Sequence, residues 1–173
     1  MFYRIRQFAR ALFPSLSGAE KTWIKTILPD EALTLFYSQS LVEQRHGLDV
    51  ALDIQKNILV CPDNGKTKVL QIDDHKTLLT AALLHDCGKS LNPLHLWQRA
   101  YIVLSAHIPL LYKMAELSPQ LSETLSLAAA HPHQGEMLAR HSHLSSEVCH
   151  LIATHHHPDC RLGNLLHEAD SRH

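Results

Sequence analysis

Leu78-Leu79-Thr80-Ala81-Ala82-Leu83-Leu84-His85-Asp86-Cys87-Gly88-Lys89 is the stretch whose reading decides the fold. Its first seven residues are mostly helix formers with almost nothing that water would hold, so a buried helix is expected there. The run ends on His85 and Asp86. Burying an ionisable pair is costly unless something compensates, and a metal ion does so. Neighbouring residues on a helix point about 100° apart, so the two side chains would reach one ion from different sides. Gly88 is expected to end the helix in a left-handed turn, leaving Lys89 free to reach an anion.

Outward from this stretch, punctuation and spacing predict helices throughout. The 173 residues suffice for one domain with a proper core, and hydrophobic (45%) and charged (19%) shares are ordinary. The net charge of −1 gives no electrostatic case for a nucleic acid polymer. Residues 2–13 form an amphipathic pattern with Arg4, Arg6 and Arg10, expected to pack on the domain rather than anchor it in a membrane. Ser17-Gly18-Ala19-Glu20 has capping-box form and opens a second helix, and Asp30 to Tyr37 makes a third. Ser40 to Asn57 reads as a longer helix containing His46, with Gly47 leaving room for close approach. A turn-rich loop spans Cys61 to Lys68, and Asp73 or Asp74 is expected to cap the helix that delivers His85.

Beyond Lys89 the spacing predicts a helix from Leu94 to Ser105, continuing with a kink at Pro109 towards Glu116. Ser118-Pro119 opens another that closes at His131-Pro132, which puts His131 at a junction between two helices. Ser145 opens a helix ending in His155-His156-His157, and the last runs from Leu162 to Ser171 and carries Asp170. No alternating strand pattern stands out, so the fold class is all-α. The expected division is an N-terminal helical extension, 1–39, and a main domain, 40–173.

Histidine is the compositional anomaly, at 15 residues. His46, His85, Asp86, His131, His155, His156 and Asp170 each sit inside or at the end of an otherwise apolar helix, which is how helical bundles build metal sites. Seven nitrogen and oxygen donors without a thiolate exceed what one ion needs and would suit two, with Asp86 as the bridge. Two ions about 3.5–4 Å apart form a clamp for phosphate-ester hydrolysis. This donor set favours one or two divalent ions, with iron, manganese or nickel ahead of zinc. The remaining histidines, such as His75, His95, His107, His141, His143, His150, His167 and His173, read as ordinary surface or core residues, and His133 points away from His131. No two of Cys61, Cys87, Cys149 and Cys160 are spaced as a C-x-x-C pair, and no secretory signal is visible, so reduced thiols in the cytoplasm are expected.

The ordered set His46; Leu84-His85-Asp86-Cys87-Gly88-Lys89; His131-Pro132-His133-Gln134-Gly135; His155-His156; and Ala169-Asp170 resembles the HD superfamily of metal-dependent phosphohydrolases. The His-Asp-x-Gly-Lys and His-Pro-x-x-Gly forms look closest to its HDIG and HD-GYP groups. The resemblance covers roughly residues 40 to 171 and implies a compact HD-domain helical bundle with extra N-terminal helices. It implies that the seven residues bind metal, that Asp86 bridges and is catalytic, and that Lys89 helps hold substrate phosphate. The implied activity is hydrolysis of a nucleotide, a cyclic or linear dinucleotide, or another phosphate ester or anhydride by metal-activated water. The implied partner is a small phosphorylated substrate, with a homo-oligomer an open option. The sequence departs from the HD-GYP pattern where His157 follows the paired histidines and a Gly-Tyr-Pro segment is missing, which demotes cyclic di-GMP as the substrate. The chain reads as a small stand-alone HD protein. A diiron HD-type oxygenase and a non-catalytic binding module are the alternatives.

Overall fold

The computed structural model describes residues 14–60 and 70–173. The expected helix over 2–13 and the loop over Cys61 to Lys68 lie outside the described residues. Among those residues the order is α1 (Gly18–Ile27), α2 (Asp30–Ser38), α3 (Leu41–Val60), α4 (Ile72–Leu84), a 3-10 turn (Cys87–Ser90), α5 (Leu96–His107), α6 (Pro109–Met114), a second 3-10 turn (Ala115–Leu117), α7 (Pro119–His141), α8 (Ser146–Thr154) and α9 (Arg161–Asp170), with no strand.

Helix α4 is the axis of the molecule. Leu78 through Leu84 are all buried, on every face of the helix. A helix that is apolar all round must be surrounded, and α1, α2, α3, α8 and α9 all pack against it. Its entry differs from expectation. The cap position is Gln71, with no side-chain hydrogen bond, and Asp73 and Asp74 lie in the first turn instead. There their carboxylates meet the positive end of the helix dipole. Ile24, Ala32, Leu35 and Phe36 of α1 and α2, with Leu28 between them, join the same buried cluster as Leu83 and Leu84. No helix among the described residues is long and apolar enough to cross a membrane.

Two close backbone approaches fix the helices around the end of α4. Gly47 of α3 lies against it: a Cβ there would stand 2.9 Å from the Leu83 carbonyl oxygen. Gly88 does not supply a left-handed turn. It lies within the 3-10 turn, where a Cβ would overlap the His131 carbonyl oxygen and stand 2.6 Å from the Gly135 nitrogen. The glycine is thus required by the backbone of α7, which crosses directly on the turn. Gly135 answers from the other side, where an added Cβ would meet the Ile152 side chain at 2.9 Å.

The chain also departs from the expected helix boundaries at two prolines. At Pro109 the helix breaks rather than kinks, and Ile108 is extended with φ −119° and ψ 98°. A residue before proline is driven out of the helical region, which accounts for the break. At Pro132 the opposite holds. α7 runs unbroken from Pro119 to His141, so His131 lies within one helix and not at a junction.

The capping box at Ser17 forms as expected, with Glu20 accepting from the Ser17 backbone at 2.7 Å. Glu20 also takes a hydrogen bond from Arg45 of α3 at 2.8 Å, and Arg45 holds Asp49 with its other nitrogens. Partial burial pushes the Glu20 carboxyl up, but Arg45 and Ser17 outweigh it and lower it to about 2. A folded pKa below the ordinary value contributes stability that is present above about pH 4.5 and lost as pH falls towards about 2. Glu20→Gln should therefore cost about 1 kcal/mol at neutral pH. Urea unfolding of both proteins should show that gap shrinking below about pH 4.5; a gap constant down to about pH 3 would show that the charge has no such role.

Candidate metal centre

Helices α4 and α8 end side by side, and each ends on a histidine. His85 is the C-cap of α4 and His155 the C-cap of α8, with their rings 5.2 Å apart. A helix end leaves its last carbonyls unpaired, and both rings use one. His85 Nδ1 donates to the Ala82 carbonyl at 2.9 Å, and His155 Nδ1 to the Ile152 carbonyl at 2.7 Å. His131 makes the same contact, Nδ1 to the Ala128 carbonyl three residues back, although it lies mid-helix. There Pro132 supplies the free acceptor, because residue 132 would otherwise bond residue 128 and proline has no N–H to do so. The proline expected to end the helix instead lends a carbonyl to His131.

These contacts decide the tautomers. A carbonyl only accepts, so Nδ1 carries the hydrogen, and each neutral ring turns a lone pair outward at Nε2. His131 Nε2 and His155 Nε2 face each other at 3.3 Å. Two lone pairs at that distance repel unless a cation stands between them. A proton is a poor candidate at His155, whose pKa is pushed down to about 3 by burial and by the neighbouring His85 and His156. His156 is also pushed down, first by burial and then by His131. Neutral imidazole is the form that ligates metal.

The donors fall into two groups. Nε2 or Nδ1 atoms of His131, His155 and His156 lie within 4.8 Å of one another, and so do the ligand atoms of His46, His85 and Asp170. Asp86, buried, lies between them. Its Oδ1 is 3.3 Å from His131 Nε2 and 4.0 Å from His155 Nε2. Its Oδ2 is 3.6 Å from His85 Nε2 and 3.8 Å from His46 Nε2. Asp170 Oδ1 adds a 2.9 Å contact to His46 and lies 3.5 Å from His85. Each group together with one Asp86 oxygen offers four nitrogen and oxygen donors.

The electrostatics suit a cation. Burial alone would raise the Asp86 carboxyl, yet His85, Lys89, His131 and His46 hold it well below the usual range. Burial likewise opposes ionisation of Asp170, and His46 and His85 overcome it. His85 shows the converse: burial pushes its pKa down, but Asp86 and Asp170 raise it above the ordinary value. Its Nε2 is buried without a hydrogen-bond partner. A fully buried ring nitrogen facing two carboxylates is the environment a divalent ion fills, so the residues fit a metal.

All seven expected ligand residues converge here. Lys89 does not stand free. Its ammonium pairs with Asp86 Oδ2 at 2.6 Å, because the tight 3-10 turn brings residue i+3 over residue i. About a third of its side chain remains exposed. His133 points outward, 77% exposed, towards Glu136. Sequence reasoning missed His167, whose Nδ1 donates to the His155 carbonyl at 2.9 Å and so braces the end of α8. The 12-residue separation carries no motif that would have signalled it. Cys87, next to Asp86, is inert packing: burial and then the Asp86 charge push its thiol up to about 12.

A family model described as HD domain matches residues 48–173, most of the chain. The chain belongs to the HD-domain family. The HD fold is helical, in accord with the architecture above, and HD domains bind divalent metals and include metal-dependent hydrolases. The matched span contains Asp86 and five of its neighbours in the site and starts two residues after His46. Comparison with curated proteins and comparison with solved structures each gave no match.

In this HD domain Pro132 has a measurable consequence. Pro132→Ala restores an N–H that competes for the Ala128 carbonyl. Long-range nitrogen–proton NMR of the metal-free protein should show the His131 ring moving from its Nδ1–H form towards a tautomer mixture. Metal affinity should fall roughly 10- to 100-fold, the scale for losing a partner that orients a ligand. An unchanged tautomer would contradict the role given to Pro132.

Proposed function

We propose that the protein is an HD-type metal-dependent phosphohydrolase acting on a nucleotide, a dinucleotide or another small phosphate ester or anhydride. The observation that carries this reading is Asp86, whose two oxygens face two separate three-residue donor groups. His46, His85 and Asp170 would hold one ion with Asp86 Oδ2, and His131, His155 and His156 the other with Asp86 Oδ1. Nitrogen and oxygen donors alone favour iron, manganese or nickel over zinc. Bound ions would supply Lewis acidity, polarising phosphoryl oxygens and lowering the pKa of water.

The chain's own residues account for the rest. The three backbone-anchored rings hold their Nε2 atoms in place without needing to reorganise. His156, exposed where its companions His131 and His155 are buried, marks the side from which substrate would approach. Lys89 spans the buried Asp86 carboxylate and solvent. On the substrate side its ammonium would offset charge that builds on phosphate oxygens. The working domain in this reading is residues 40–173, with α1 and α2 as a brace held by the Glu20–Arg45 ion pair.

Asp86→Ala should abolish phosphate release and most of the metal. Lys89→Ala should keep metal and fold in the loaded protein but lower turnover by roughly 10²-fold, the scale of losing one preorganised electrostatic partner. Elemental analysis after iron and manganese supplementation, with a phosphate-release screen over nucleotides and dinucleotides, measures both. Full metal occupancy in Asp86→Ala, or wild-type turnover in Lys89→Ala, would overturn the corresponding role.

A further inference from the structure

A third group of ligand-type side chains lies away from the central seven and shares no residue with them. His150 stands on α8, and Asp159 and Cys160 lead into α9. His150 Nε2 contacts Asp159 Oδ1 at 2.8 Å. Ligand atoms of these two residues and Cys160 Sγ lie within 4.8 Å of one another. The Gly163 N–H donates to Cys160 Sγ at 3.3 Å, which fixes the rotamer that presents the sulfur to the pair. Cys160 is unpaired with any other cysteine.

We propose that His150, Asp159 and Cys160 form a separate zinc site. Zinc bonds nitrogen and oxygen at about 2.0–2.2 Å and sulfur at about 2.3 Å, so tetrahedral ligands stand roughly 3.3–3.7 Å apart. His150 and Asp159 stand 2.8 Å apart and all three ligand atoms lie within 4.8 Å of one another, so modest adjustments of side chains that are at least partly exposed reach that separation. Three protein donors leave a fourth position for water. The thiolate sets this site apart chemically from the all-nitrogen-and-oxygen centre, because a soft sulfur donor selects zinc over manganese. On binding, the thiol proton leaves to solvent, and the His150–Asp159 hydrogen bond is exchanged for two metal bonds.

The site has a structural consequence. It ties α8 to the start of α9 across residues 155–160, the segment that begins with His155 and His156. Zinc here would brace the connection from which two central donors project.

Cobalt(II) titration of the full-length protein tests the proposal, since a thiolate–cobalt bond gives a near-ultraviolet charge-transfer band and the central centre has no thiolate donor. Wild type should show the band, with an amplitude at saturation that corresponds to one thiolate-bound cobalt per chain however much cobalt the central centre also takes up, and zinc should displace it. Cys160→Ser should abolish the band, and His150→Ala and Asp159→Ala should each weaken the cobalt binding that the band reports at least tenfold, with circular dichroism unchanged, because His150 and Asp159 are exposed and serine can keep the cap on Gly163. No band in wild type, a band that survives Cys160→Ser, or a band indifferent to His150→Ala and Asp159→Ala would overturn the site.

Discussion

The buried carboxylate of Asp86 is the constraint on which the rest of the structure depends. It sits just past the end of α4, whose last seven residues are all buried, where an isolated charge would be costly. Everything around it supplies compensation. Histidines from α3, α4, α7 and α8 and the ammonium of Lys89 approach its two oxygens. Replacing a buried charged group with apolar residues of similar size is often neutral or stabilising, so folding alone gives no reason for the arrangement. A cluster of ligand-type groups converging on one carboxylate could hold a metal, in keeping with the HD-domain family.

The packing exists to deliver these groups to one point. α4 and α8 terminate together, so their free carbonyls anchor His85 and His155 in matching geometry. α3 and α7 reach the same level by direct backbone contact, through Gly47 against Leu83 and Gly88 against His131. α9 closes the group with Asp170 beside His46. Three histidines thus share one device, an Nδ1–H held by a carbonyl three residues back, obtained twice from a helix end and once from a proline.

The helical class and the convergence of the seven site residues are legible in the sequence because both rest on local signals: apolar helical stretches and polar residues that interrupt them. Punctuation is less legible. Pro132 looks like a helix end, since proline removes a hydrogen bond; the sequence does not reveal that His131 takes up the freed carbonyl and lets α7 continue. Gly88 looks like a left-handed cap, yet its reason is the backbone of α7, a partner more than 40 residues away. Lys89 reads as free because its pairing depends on a 3-10 turn that spacing does not announce. His167 and the His150–Asp159–Cys160 group depend on how the connection between α8 and α9 turns back, a geometry that residue spacing does not announce.

The central claim is that Asp86 joins two metal positions, and anomalous diffraction from crystals of the manganese-loaded protein tests it most directly. The account predicts two peaks about 3.5–4 Å apart, one beside each oxygen of Asp86, the first among His46, His85 and Asp170 and the second among His131, His155 and His156. Peaks away from Asp86, or no manganese at either group in metal-saturated crystals, would contradict it.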